Sequence, residues 1–389
     1  MKTTGQPLQI VINPPVGSGQ PGRIETVAAY AIAEGFKTAN ITMPSWPLNS
    51  GRMLYLPWAH IGEFNPADDS VWCVMKQANG NSGAVHRYDG ATDVWAEMWE
   101  GWWSSPDGGA SANLAHPYDS WTLDQSNPTA PKLFIADWYR WLRRWDGASS
   151  GKFTDVVSLS SLGNNNLAIA TQPMSMKWNK DVYGTGQDGL IIGTRANLFR
   201  IRKDGTGLEQ FFSIPSANRP GQGSQGMFKC RTRNSLIYFN GYSTKDGSAF
   251  NNPAADLSCV IYEIVPQASG ASPTVTRIPD PPVRKGGYHI SGSGLSDPSH
   301  PMCAFGHYIY MFDMTTASRI WRYDLRNGGT GQWEQLVTTH NFHDLGQRYF
   351  HVIPCDEWNC IMAIFSFETS TTNVNAPAQC RLFMPTIAT

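Results

Sequence analysis

Val85-His86-Arg87-Tyr88-Asp89 reads as a short strand ending in a turn, and it recurs along the chain. It returns as Leu142-Arg143-Arg144-Trp145-Asp146, then as Phe199-Arg200-Ile201-Arg202-Lys203-Asp204. Further copies are Ile261-Tyr262-Glu263-Ile264-Val265, Ile320-Trp321-Arg322-Tyr323-Asp324 and Arg381-Leu382-Phe383-Met384. Counted between Asp89, Asp146, Asp204, Val265, Asp324 and Met384, the steps are 57, 58, 61, 59 and 60 residues. A near-constant period of this size marks a repeat architecture, in which stacked neighbours cover the apolar faces that one unit leaves bare.

Working outward from that strand, each repeat reads as four strands. The segment before it is almost wholly apolar, at 70–74, 132–136, 189–193, 235–239, 307–311 and 359–363. Such runs suit strands covered on both faces. Asp-Gly follows the motif in the first three repeats, at 89–90, 146–147 and 204–205, and favours a hairpin into the next strand. That strand is placed at 95–100, 153–159, 209–214, 274–279 and 332–338. The sixth repeat ends after its third strand. Its missing partner is found at the other terminus, where Asn40-Ile41-Thr42-Met43-Pro44 resembles Phe212-Ser213-Ile214-Pro215 and Thr276-Arg277-Ile278-Pro279. The expectation is an all-β, six-bladed β-propeller of four-stranded antiparallel blades, 38–389, its ring closed by residues 38–44 joining the last blade. Closure removes the unpaired edges of an open array. Residues 1–37 are read as an extended Pro/Gly-rich arm. Ile24, Val27, Ala28, Ala31 and Ile32 suggest a short amphipathic helix within it.

Ile309-Tyr310-Met311-Phe312-Asp313, Ile320-Trp321-Arg322-Tyr323-Asp324 and Trp333-Glu334-Gln335-Leu336 together resemble a kelch repeat. His86-Arg87-Tyr88-Asp89 followed by Trp95-Ala96-Glu97-Met98 is similar. The resemblance implies that a Trp opening the fourth strand packs blade against blade. The paired glycines of that family after the second strand are absent here, and the period is longer, so the likeness is one of architecture. In architecture alone the chain is also similar to propeller proteins in the tails of short-tailed phages.

Composition excludes several function classes. Charged residues are 16% of 389, and the net charge of −1 offers neither the basic stripe of a nucleic-acid binder nor a polybasic membrane patch. Leu8-Gln9-Ile10-Val11-Ile12 is too short for a signal-peptide core, and no run is long enough to span a bilayer. Seven cysteines at irregular spacing read as small buried hydrophobes rather than a disulfide framework. No phosphate-binding loop, dinucleotide fingerprint, zinc helix or nucleophile elbow occurs. Ser105-Pro106-Asp107-Gly108-Gly109 begins like the turn of sialidase propellers, but Ala112 stands where Trp is required. His340, His343, Asp344 and His351 are read as loop side chains and no metal or other cofactor is expected.

Two groups of residues remain as candidate ligand sites. Trp102 and Trp103 look loop-borne, and exposed paired indoles suit a sugar face or a protein contact. Aligning the first strands places His60, His116, Lys177, Lys229, His300 and His351 at similar points, one per blade. First strands line a propeller's channel, so these six would form a basic ring that takes an anion or a carboxylate. The main functional expectation is a non-enzymatic docking component of a large assembly, a phage virion tail or head-tail part made in the host cytoplasm. Its partners would be other subunits, met through residues 1–37 and the blade loops. A glycan-binding, lectin-like or host-recognition propeller is the first alternative. A glycoside hydrolase or lyase at the channel mouth is the second.

Overall fold

A computed structural model describes residues 8–12, 23–27, 30–33, 36–40, 62–76, 82–89, 94–102, 120–127, 130–136, 141–147, 153–159, 162, 175–194, 197–215, 225–240, 260–267, 271–281, 302–313, 319–337, 349–358, 360–366 and 379–385. The chain begins with β1 (Leu8–Ile12) and β2 (Arg23–Val27), paired as an antiparallel ribbon, then β3 (Tyr30–Ala33) and β4 (Phe36–Asn40). Blade one is β5 (Gly62–Asn65), β6 (Ser70–Lys76), β7 (Ser82–Asp89) and β8 (Val94–Trp102). Blade two is β9 (Trp121–Asp124), β10 (Lys132–Ala136), β11 (Trp141–Trp145) and β12 (Thr154–Ser158). Blade three is β13 (Ser175–Asn179), β14 (Gly189–Gly193), β15 (Asn197–Ile201) and β16 (Glu209–Ser213). Blade four is β17 (Gln225–Cys230), β18 (Ser235–Asn240), β19 (Val260–Val265) and β20 (Thr274–Ile278). Blade five is β21 (Met302–Phe305), β22 (Tyr308–Asp313), β23 (Arg319–Asp324) and β24 (Trp333–Val337). Blade six is β25 (Tyr349–Cys355), β26 (Cys360–Ser366) and β27 (Gln379–Pro385), extended by β4 and β3.

Each sheet is antiparallel, the first five blades are ordered as the chain runs, and the first strands β5, β9, β13, β17, β21 and β25 touch in cyclic order around an axis. The ring closes where β27 pairs with β4, Leu382 opposite Ala39 and Phe383 opposite Thr38. Closure therefore falls where the sequence places it, within a few residues. The same region corrects one expectation. Strands β2 and β3 lie where the apolar spacing suggests a helix. Ile24, Thr26 and Val27 are β-branched and lose side-chain freedom in a helix. Over so short a stretch, that preference and the available strand partners outweigh a partial 3.6-residue pattern.

The core lies between blades rather than within them, because each second strand is apolar on both faces. Along β14, Leu190 and Ile192 join Phe134 and Leu142 of blade two, while Ile191 joins Met227 and Leu236 of blade four. Along β22, Ile309 and Met311 face Ile237 and Phe239 of blade four, while Tyr310 and Phe312 face Ile361 of blade six. Each such side chain contributes about 1.5–3 kcal/mol on burial. Trp72 of blade one meets the fully buried Trp145 of blade two edge to face, ring centres 6.1 Å apart. At the closing seam a Cβ on Gly62 would lie 2.2 Å from Ile353 Cδ1, so blades one and six approach more closely than a side chain permits. Trp333 lies tilted against its cross-strand partner Tyr323 and donates its indole N–H to the Pro279 carbonyl of blade four at 2.8 Å. The indole thus spans the seam between blades five and four.

Three third-strand arginines are cross-strand partners of fourth-strand carboxylates. Arg143 pairs with Asp155, Arg200 with Glu209 and Arg322 with Glu334. Arg143 and Arg200 are buried. Arg200 also donates to the carbonyls of Val182 and Gln267, which joins blade three to blade four. Cys73, Cys230, Cys303, Cys355 and Cys360 are buried and free of disulfides. Among the described residues no helix is long and apolar enough to cross a membrane.

Replacing Trp145 with Ala removes one of the two indoles that meet at the seam of blades one and two. The expected cost is about 3–5 kcal/mol. A chemical-denaturation midpoint unchanged from the parent would show that this seam does not depend on the indole.

Candidate functional site at the central channel

The first strands deliver a set of charged side chains to the axis. Glu63 of β5 is buried, and its carboxylate is saturated by neighbours. Oε1 accepts from Lys177 Nζ of β13 at 2.7 Å and from the Thr122 hydroxyl of β9 at 2.9 Å. Oε2 accepts the Leu123 backbone N–H at 2.8 Å. Thr122 Oγ1 in turn accepts the Trp178 backbone N–H at 2.9 Å, so one carboxylate ties blades one, two and three. A buried carboxylate needs this number of donors to offset its lost hydration.

A second tie crosses the ring. Arg231, just past β17, donates through Nη1 to both oxygens of Glu357 in blade six, at 3.0 and 2.9 Å. Its Nη2 donates to Gln125 Oε1 of blade two at 2.8 Å, and the Gln125 amide donates to the Phe64 carbonyl at 3.0 Å. One guanidinium thus joins blades two, four and six. Burial raises the Glu357 carboxyl above its ordinary value, and the Arg231 charge opposes that. Burial likewise raises neighbouring Asp356, which accepts the Gly306 N–H.

Between these ties lies a cavity of about 60 Å³, walled by Phe64, Trp178 and Phe228 together with Glu63, Lys177, Lys229 and Arg231. Lys229 Nζ sits 4.3 Å from the centre of the Trp178 ring. Among the described residues it has neither a hydrogen-bond acceptor nor an ion-pair partner. Its pKa is pulled down to about 7, by burial first and then by the Arg231 charge, while Glu63, Asp188 and Asp181 oppose the shift. Lys177 is pulled down to about 8 by burial, with Glu63 opposing. The two lysines therefore differ. Lys177 holds its proton against a carboxylate, and Lys229 faces the cavity without one.

The structure brings two of the six expected ring residues, Lys177 and Lys229, to one cavity. They are one register step apart. Opposite the third residue of the second strand stand Glu63, Thr122, Lys177, Phe228, Cys303 and Ile353. Opposite the second residue stand Phe64, Leu123, Trp178, Lys229, Ala304 and Pro354. His60, His116 and His300 lie outside the described residues, and His351 is placed by backbone on β25, opposite Ile364. The Trp102 side chain and Trp103 also lie outside them, as do the 105–109 turn, His340, His343 and Asp344. Among the described residues no group of His, Cys, Asp or Glu could hold a metal ion. Glu63, Gln125, Arg231 and Glu357 were not found by sequence reasoning. Glu63 and Thr122 do sit one period apart, at 59 residues, but period alone does not tell an axial side chain from one between blades.

No family model matches the chain, and no curated protein sequence does. Among solved structures, an α-L-arabinanase from Penicillium chrysogenum is 10% identical, covering 91% of this chain and 98% of its own at a TM-score of 0.47. An α-L-arabinofuranosidase from Fusarium graminearum is 11% identical, covering 90% and 97%, with a TM-score of 0.49. An oligogalacturonate lyase is 14% identical, covering 87% and 79%, with a TM-score of 0.39. Such likenesses concern the propeller fold and carry no residue role. The three are enzymes by name, against the expectation of a non-enzymatic chain, and at these identities no activity passes to this one. None of these three bears on the phage-tail expectation.

The Lys229 shift sets a pH signature. Between about pH 7 and the ordinary lysine value of 10.5 the unfolded chain holds a proton that the folded chain lacks, so stability rises with pH across that window. Lys229→Met removes this contribution. The variant should melt above the parent at pH 6, with the difference shrinking as pH nears 10. A difference constant across that range would mean that Lys229 titrates like an exposed lysine.

Proposed function

We propose that this propeller binds a small, singly charged anionic group in its central cavity, with Lys229 as the counter-charge. The observation that carries the reading is the charge balance of the site. Lys177 is matched by Glu63 and Arg231 by Glu357, and Lys229 is left over. Its cationic form, partly withdrawn from water, attracts an anion more strongly than in bulk, because a lower local dielectric magnifies the interaction. Asp181 and Asp188 favour that charge from farther off and do not offset its burial.

Size narrows the class. A cavity of about 60 Å³ holds about four waters, by the rule that one water needs roughly 10–15 Å³. A carboxylate fits, whereas a sugar ring would stay at the mouth with its acidic substituent inside. An acidic saccharide meets both conditions, which favours a carbohydrate ligand, whether merely bound or turned over, above a purely structural role. Phe64, Trp178 and Phe228 supply apolar wall for the carbon skeleton beside the charge.

Thermal melting with acetate or glucuronate tests this. At pH 6 each should raise the melting temperature, with a stabilisation of about 2.7 kcal/mol at a hundredfold excess over Kd. Less stabilisation is expected at pH 8.5, where Lys229 has lost its charge. Equal stabilisation of Lys229→Met would overturn the assignment.

A further inference from the structure

We infer that the Lys229 amine is also a nucleophile, condensing in this cavity with the carbonyl group of a small oxo acid to form an imine. This rests on the cavity being the ligand site, and it adds a covalent reaction and a substrate class to it. An amine reacts with a carbonyl only when its nitrogen lone pair is free. Lys177 fails that condition, since its nitrogen is held at 2.7 Å by Glu63. Lys229 meets it. Its nitrogen lies over the Trp178 ring, no described residue accepts a hydrogen bond from it, and it lines the cavity. A lysine becomes nucleophilic near neutral pH when an apolar wall and a neighbouring cation both disfavour its protonated form. Here burial and the Arg231 charge, two residues further along the chain, do this, and together they outweigh the Trp178 ring, whose face favours the cation. The other charges around the site are Glu63 from blade one, Lys177, Asp181 and Asp188 from blade three, and Glu357 from blade six.

The step needs no oxidant or reductant. The nitrogen lone pair attacks the carbonyl carbon, and the carbonyl π pair moves to oxygen. Both amine hydrogens leave with that oxygen as water, which completes the C=N bond. One proton taken from solvent converts the imine to an iminium ion, restoring the single positive charge that the protonated amine carried. A carboxylate next to the carbonyl then balances it within the ligand itself. That is why an oxo acid fits better than a neutral aldehyde. The cavity limits the part of the ligand inside it to a few heavy atoms, and glyoxylate or pyruvate is the smallest probe of that kind.

The test is reductive trapping of the full chain with glyoxylate or pyruvate and cyanoborohydride, read by intact mass and peptide mapping. One adduct is expected, on Lys229, formed at least about tenfold faster at pH 7.5 than on exposed lysines of ordinary pKa. Its rate should rise with pH to a plateau, with a midpoint near 7. Lys229→Arg separates the two readings, because it keeps the charge and loses the nucleophile. If acetate stabilises both parent and Lys229→Arg while no adduct forms at Lys229, the imine inference fails and the anion site stands. If the adduct forms at Lys229 and acetate has no effect, the covalent reading stands and the anion reading fails. Labelling spread evenly over the lysines overturns the inference.

Discussion

A sheet with two apolar faces has no stable isolated form, and every blade here is such a sheet. Leu190, Ile191 and Ile192 show the constraint at its simplest, since successive residues of one strand serve the seams on either side. An open row of six would leave two faces bare and two edges unpaired. The pairing of β27 with β4 joins the two ends of the propeller in one sheet, and so supplies the last neighbour. The channel, its cavity and the ties across it all follow from that closure, because only a closed ring gives six first strands a common axis.

Much of the fold could be read from the chain because burial leaves a regular trace. Apolar runs such as 189–193 recur at a fixed spacing only if each occupies the same place in its own repeat. The missing fourth strand of the last repeat could be sought at the opposite terminus for the same reason. The reading failed at residues 23–36, where Ile24, Val27, Ala31 and Ile32 satisfy a helical spacing over too few turns to exclude two short strands. It also gave no partner for Arg143 and Arg200, which are buried against carboxylates one strand away. Pairing of that kind depends on register, and the bulges at Leu142/Arg143 and Leu198/Phe199 shift that register.

The site was less legible than the fold. Lys177 and Lys229 could be singled out as basic residues at similar phase in their repeats. Nothing marked which of them is neutralised, because the answer lies in Glu63, which is 114 residues from Lys177 in sequence and 2.7 Å from it in space. Arg231 and Glu357 are separated by 126 residues. Contacts across a ring join residues whose sequence separation carries no period, so a one-dimensional pattern does not record them. The difference between the two lysines, one paired and one open, is a property of the closed ring alone.

Arg231 also bears on traffic along the axis. A guanidinium bonded to blades two and six from blade four is a crossbar, and a solute moving from face to face would have to break charge-assisted bonds at both of its ends. Passage along the axis is thereby tied to those bonds, and a solute that opened them would also loosen blades two, four and six from one another.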